Sequence, residues 1–72
     1  FARLDQRLAK LLLARNETVL GVTHQQLADE LGSVREIVSR LLKGFAEQGL
    51  VTLGREQITI TDRPGLQKLA AV

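Results

Sequence analysis

The stretch from Thr23 to Leu42 constrains the fold of this chain more than any other, because it holds two helix-start signals with a glycine between them. Thr23 with Gln26 matches a capping box, in which a hydroxyl and an amide satisfy two orphan N–H groups reciprocally. Ser33 with Glu36 matches the same pattern directly after Gly32. A turn that short allows the second helix to protrude. What it carries outward is Arg35, Glu36, Ser39, Arg40 and Lys43. A short helix, a glycine turn and a protruding second helix make a helix-turn-helix.

The chain is 72 residues long, the size of one small domain, so residues 1–72 are read as a single unit. A hydrophobic share of 44% is ample for a packed core. With no cysteine there is neither a disulfide framework nor a thiolate metal site, and one histidine gives zinc no ligand set. No metal and no cofactor are therefore expected in this domain. The lack of cysteine suits a reducing cytosol, so a cytoplasmic location is expected, and no apolar run approaches the roughly 20 residues needed to span a bilayer, so no membrane contact is expected. The chain starts without Met and without a signal peptide, which suggests a piece of a longer protein. The net charge of +2 is mild, but seven of the ten basic residues are arginine, whose planar fork suits phosphate and guanine.

Leu4, Leu8, Leu11 and Leu12 recur at helical spacing, with Arg3, Gln6, Arg7, Lys10 and Arg15 elsewhere on the wheel. This predicts an amphipathic first helix over 3–15 with a wet basic face. Asn16-Glu17-Thr18 breaks the pattern, and Val19-Leu20-Gly21-Val22 reads as a short edge strand. The second helix covers about 24–31, turning Leu27, Ala28 and Leu31 inward. The third covers about 34–48 and ends at Gly49. At about 100° per residue its polar side chains fall within an arc of roughly 140°. Val34, Ile37, Val38, Leu41, Leu42 and Phe45 take the opposite side. Phe45 and Phe1 read as packing residues. Residues 50–53 and 57–61 alternate with period two around Gly54-Arg55-Glu56, a β-hairpin with a charged tip. Asp62 caps a last short helix anchored by Leu66 and Leu69, with Pro64 in its first turn. The expected fold is mainly α with a small β-hairpin wing. Its parts are a three-helix core, a short edge strand, a two-stranded wing and a short C-terminal helix: a winged helix-turn-helix.

Arg35 and Arg40 each offer donors that match guanine O6 and N7, and Glu36 can accept from cytosine N4. A carboxylate facing a polyanion is unfavourable unless it reads a base, so its place between arginines points to sequence-specific readout. The competing interpretation is an ordinary solvated face, with Glu36 and Arg40 paired four residues apart. Thr23 and Gln25 are candidates for phosphate contacts at a helix N-terminus, and Thr23 caps its helix in either case. Ser33 belongs to the same set at the start of the third helix. His24 is either a phosphate contact or an exposed helix-start residue. Lys43 and Arg55 are candidate phosphate contacts whose alternative is a solvated charge. No Ser/His/acid set and no Gly-rich phosphate loop is present, so no enzyme is indicated.

At these residues the chain resembles the C-terminal DNA-binding domain of the Crp/Fnr family of bacterial transcription regulators. The resemblance rests on Thr23-His24-Gln25-Gln26-Leu27-Ala28, on Gly32 to Leu42, on Gly49-Leu50-Val51 and on Gly54 to Ile60 followed by Asp62. It runs from about residue 4 to residue 70, and its most specific element is Arg35-Glu36-x-x-x-Arg40. It implies that Arg35, Glu36 and Arg40 read base edges in the major groove, with Ser39 contributing as in Fnr-like members. It also implies that Thr23 and Gln25 hold phosphates. Ile37 departs from the threonine of many members, and Val34 lacks a hydroxyl that some use, which weakens backbone clamping. Double-stranded DNA is the implied partner. A homodimer of the full-length protein and RNA polymerase are further implied partners. An N-terminal sensor domain that binds any effector, absent from these residues, is implied as well. The alternative is a winged helix that binds another protein and not DNA.

Overall fold

The computed structural model describes residues 3–71, so Phe1 lies outside the described residues. Its elements run α1 (Leu4–Ala14), β1 (Val19–Leu20), α2 (His24–Leu31), α3 (Arg35–Glu47), β2 (Val51–Gly54), β3 (Gln57–Ile60) and α4 (Arg63–Ala71). This is the winged helix-turn-helix expected from the sequence, with helix ends within a residue or two of the expected ones. The edge strand and the hairpin join in one antiparallel sheet of order β1-β3-β2. Leu20 stands opposite Ile58 on β3, and Leu53 faces Ile58 from the other side. Ile58 is fully buried, so the two-residue β1 shields the edge of β3 that the hairpin leaves open.

Every element gives side chains to one core. Leu8 and Leu12 of α1, Leu27 of α2, Val38 and Leu42 of α3, Ile58 of β3 and Leu66 of α4 are completely buried. Each removes about 1.5–3 kcal/mol worth of apolar surface from water, which a domain this small needs in full. α1 runs between α2 and α4 and packs chiefly against α4. Its basic face is only partly wet. Arg7 Nη2 donates to the Leu31 carbonyl at 3.2 Å, and Arg15 Nη2 donates to both carboxylate oxygens of Glu30 at 3.0 and 3.1 Å. Two α1 arginines thus hold the C-terminal end of α2. Gln6 is also buried, contrary to its expected place on the wet face. Its Oε1 accepts from the Arg3 N–H at 3.1 Å, folding the amide back over the helix start.

The turn between α2 and α3 is made by backbone geometry. Gly32 takes φ +69, its N–H donates to Asp29, and the Ser33 N–H donates to Ala28 at 2.9 Å. The left-handed region is costly for a residue with a Cβ, which explains the glycine. At the other end of α3 the pattern recurs: Gly49 has φ +77 and the Leu50 N–H donates to Phe45 at 2.9 Å. The Leu50 carbonyl then accepts from both Thr61 and Asp62 N–H, at 3.0 and 3.1 Å. Thr61 Oγ1 adds a bond to the Gly49 carbonyl at 2.8 Å. The end of α3 and the end of β3 are stapled together. Asp62 caps α4 as expected, its Oδ1 accepting from the Gly65 N–H at 3.1 Å.

One start signal forms and the other does not. Thr23 Oγ1 accepts from the Gln26 N–H at 3.1 Å while Gln26 Oε1 accepts from the Thr23 N–H at 2.8 Å. α3 instead starts after Val34, with no side-chain cap, so the Ser33–Glu36 box is absent. The physical reason is the Gly32 turn, which draws Ser33 into the close of α2 and leaves Val34 in the capping position. Thr23→Ala should therefore cost about 1 kcal/mol in a urea melt, whereas Ser33→Ala should stay within about 0.5 kcal/mol of the parent. At the wing tip Glu56 takes φ +54 in a two-residue loop with Arg55. Glu56→Gly should raise stability in the same melt by up to about 1 kcal/mol, since glycine adopts that conformation without a Cβ penalty.

Candidate nucleic-acid interface

α3 separates its residues sharply at its inner face and less sharply at the edge. Val38, Leu42 and Phe45 are buried and Leu41 is half-buried, which fixes the helix to the core by one narrow stripe. Val34 is 57% exposed and Ile37 43% exposed, although the helical periodicity places both on the inward side. Both lie at the margin of the stripe on the flank opposite Ser39, and it is the Ser39 flank that meets α2 through His24. The outer surface of α3 thus carries Glu36, Arg40 and Lys43, flanked on one side by Val34 and Ile37 and on the other by Arg35 and Ser39.

Arg35, Glu36, Arg40 and Lys43 are all exposed. Among the described residues the ion pairs are Arg3–Asp5 and Arg15–Glu30, and the side chains of Arg35, Glu36, Arg40 and Lys43 make no hydrogen bond or ion pair. The Glu36–Arg40 ion pair that the spacing allows is not formed. Two guanidinium forks and a carboxylate stand unpaired on a helix that the core holds from behind.

The remaining sequence-derived candidates divide between this surface and the protein itself. Thr23, His24, Gln25 and Arg35 line a shallow cleft of about 290 Å³, closed on its far side by Gly54, Glu56 and Gln57 of the wing. The sequence alone singles out Arg55 among the wing residues as a ligand contact. Glu56 and Gln57 reach the cleft because the loop is so short. Arg55 is exposed at the tip. Gln25 Nε2 donates to Asp29 Oδ1 at 2.9 Å, one turn along α2. Thr23 uses its oxygen as a cap acceptor and retains its hydroxyl proton for a donor role. Ser33 is half-buried in the turn. His24 is half-buried too, and its Nδ1 lies 2.7 Å from Ser39 Oγ. Local spacing gives no signal for that pair, because it joins residues fifteen apart on two helices. Burial first, and the Arg35 guanidinium second, hold the His24 imidazole below its ordinary pKa. The ring is neutral at pH 7.

The geometry has relatives of known class. The Crp-like helix-turn-helix domain family matches residues 6–69. A transcriptional regulatory protein of Bordetella pertussis, btr, is 35% identical over 92% of this chain and 27% of its own length. The transcriptional regulator SdrP of Thermus thermophilus is 37% identical over 94% of this chain and 39% of its own. Among solved structures, a CRP/FNR-family transcriptional regulator from Thermus thermophilus superposes with a TM-score of 0.91 at 36% identity. That match covers 97% of this chain and 41% of the regulator. A CRP/FNR-family protein from Eubacterium rectale gives 0.92 at 39% identity, over 97% of this chain and 34% of its own. The chain therefore spans well under half the length of each of these relatives. With nearly its whole length matched, and the turn, the protruding helix and the wing all in place, the chain belongs to the Crp-like helix-turn-helix family.

Proposed function

We propose that this domain binds double-stranded DNA in a sequence-specific manner, with α3 in the major groove, and serves transcription regulation in the cytoplasm. The observation that carries the proposal is the outward, unpaired set Arg35, Glu36 and Arg40 on one exposed helix face. Membership of a family whose relatives are transcription regulators supports it. Arg35 and Arg40 would read guanine O6 and N7, and Glu36 would accept from cytosine N4. With Glu36 and Arg40 one helical turn apart, the two can serve both partners of a single G·C pair. Ser39 faces the same groove from the flank toward α2. Val34 and Ile37 present apolar surface suited to the C5 methyl of thymine, where a hydroxyl would instead reach for phosphate.

Around this reading head, phosphate contacts are assigned to Thr23, His24, Gln25 and Ser33 at the two helix starts, with Lys43 and Arg55 at the far end and the wing. Helix N-termini favour anions through their free N–H groups, and α3 has no side-chain cap to occupy its own. One domain makes few contacts, so high affinity would require a dimer on half-sites about 34 Å apart. RNA polymerase would then be the machinery whose access or recruitment the bound dimer changes. Any effector is assigned to sequence outside these residues.

Selection of bound duplexes from a randomised library at low salt tests the reading. Glu36→Ala should cost about 1–3 kcal/mol of discrimination at one base pair and leave the others read. Base preference unchanged from the parent at every position would refute base readout by Glu36. Binding by the single domain should fall in the range of about 10⁻⁴–10⁻⁶ M and weaken steeply as salt rises. Lys43→Ala should lower the slope of log K against log salt by about 1 without altering the selected sequence. No shift of any duplex at any salt would turn the assignment to a protein partner.

A further inference from the structure

α2 and α3 are linked by one side-chain hydrogen bond among the described residues, the 2.7 Å contact between His24 Nδ1 and Ser39 Oγ. A serine hydroxyl has a single proton, and its direction decides what the oxygen offers elsewhere. If the proton points at Nδ1, the outward side of Oγ holds only lone pairs. If Nδ1 carries a proton and donates, the hydroxyl proton is free to point outward. The imidazole thereby controls whether Ser39 meets a ligand as an acceptor or as a donor.

We propose that His24 is a specificity-determining positioning residue, which sets the hydrogen-bond polarity of Ser39 and so the base that Ser39 reads. The inference rests on the DNA-binding reading above and adds to it a role that no base or phosphate contact of His24 would supply. With the ring neutral and its proton on Nε2, the more stable imidazole tautomer and the one that leaves Nε2 able to donate to a phosphate, Nδ1 accepts a hydrogen bond from the Ser39 hydroxyl. Ser39 then accepts from an exocyclic amino group, adenine N6 or cytosine N4. With the ring protonated, both nitrogens are donors, Ser39 is turned around, and it donates to guanine O6 or N7 or to thymine O4.

The surroundings set which state holds. Arg35 of α3 and the positive N-terminal end of α2 oppose a charge on the ring. Glu56 of the wing, across the same cleft, favours it, and the other lining residues, Thr23, Gln25, Gly54 and Gln57, are uncharged. Asp29 is engaged by Gln25. The ring's depressed pKa agrees with the neutral state at pH 7, so Ser39 is an acceptor there and becomes a donor only on acidification. A backbone phosphate drawn to the start of α2 would bring the changeover nearer to neutrality.

The test selects duplexes with the chain, with Ser39→Ala and with His24→Phe, at about pH 7.5 and at an acidic pH at which nitrogen NMR shows the His24 ring protonated. Ser39→Ala identifies the base pair concerned, as the one position whose preference it flattens. At that pair the parent chain should favour adenine or cytosine at the higher pH, and the preference should shift by about two- to tenfold toward guanine or thymine at the lower. His24→Phe also removes the phosphate contact assigned to that residue and should weaken binding to all duplexes alike, so the readout is relative base preference: it should abolish the shift with pH at that one pair, and a urea melt of the variant reports whether the domain is folded. His24→Gln, which keeps a polar group at the surface, should likewise lose the pH response. Nitrogen NMR of the sole histidine should show its titration moving when Ser39 becomes alanine. A pH response that persists in both His24 variants overturns the inference alone, as does a parent chain with no response or a Ser39→Ala that changes no position. Failure of every protein to bind any duplex overturns the DNA reading and this inference with it.

Discussion

The left-handed turn at Gly32 is the constraint from which the rest of the site follows. Because the Gly32 and Ser33 N–H groups close α2 onto its own carbonyls, the chain leaves that helix within three residues and enters α3 at once. The stripe of Val38, Leu42 and Phe45 seats α3 in the core, with Leu41 and Ala46 packed at its edge. Every other side chain of α3 is committed to the margins or to solvent. Exposure of Arg35, Glu36 and Arg40 is therefore a result of chain geometry and does not depend on what those side chains are.

α1 supplies the counterweight. Arg7 and Arg15 reach across to Leu31 and Glu30, so the C-terminal end of α2 is held just before the turn begins. The ion pair is partly exposed and individually worth about 0.2–1 kcal/mol. Its value lies in direction more than in energy: it fixes where α2 stops, and α3 takes its bearing from that point. Burial of Leu8 and Leu12 holds α1 itself in place against α4.

What was legible in the sequence was what is local. The Thr23–Gln26 box, the hairpin alternation and the Asp62 cap each use residues within a few positions of one another, and all three form. The Ser33–Glu36 box has the right letters and fails, because the preceding glycine turn claims Ser33 first. Helical periodicity located the buried stripe of α3 but overstated its width, since coverage of Val34 and Ile37 depends on which flank of α3 meets a neighbouring element, and α2 meets the Ser39 flank. The Arg7, Arg15 and His24 contacts span fifteen to twenty-four residues, beyond the reach of any spacing rule. The solvent-facing trio was readable as a candidate, and the absence of a Glu36–Arg40 pair became visible only in three dimensions.

The bonds that Thr61 and Asp62 make to Leu50, with Thr61 Oγ1 on Gly49, have a mechanical meaning. They weld the base of the wing to the tail of α3, so neither can pivot without the other. A torque delivered from elsewhere in a larger protein would swing helix and hairpin as a single lever, engaging groove and backbone in concert or releasing both together.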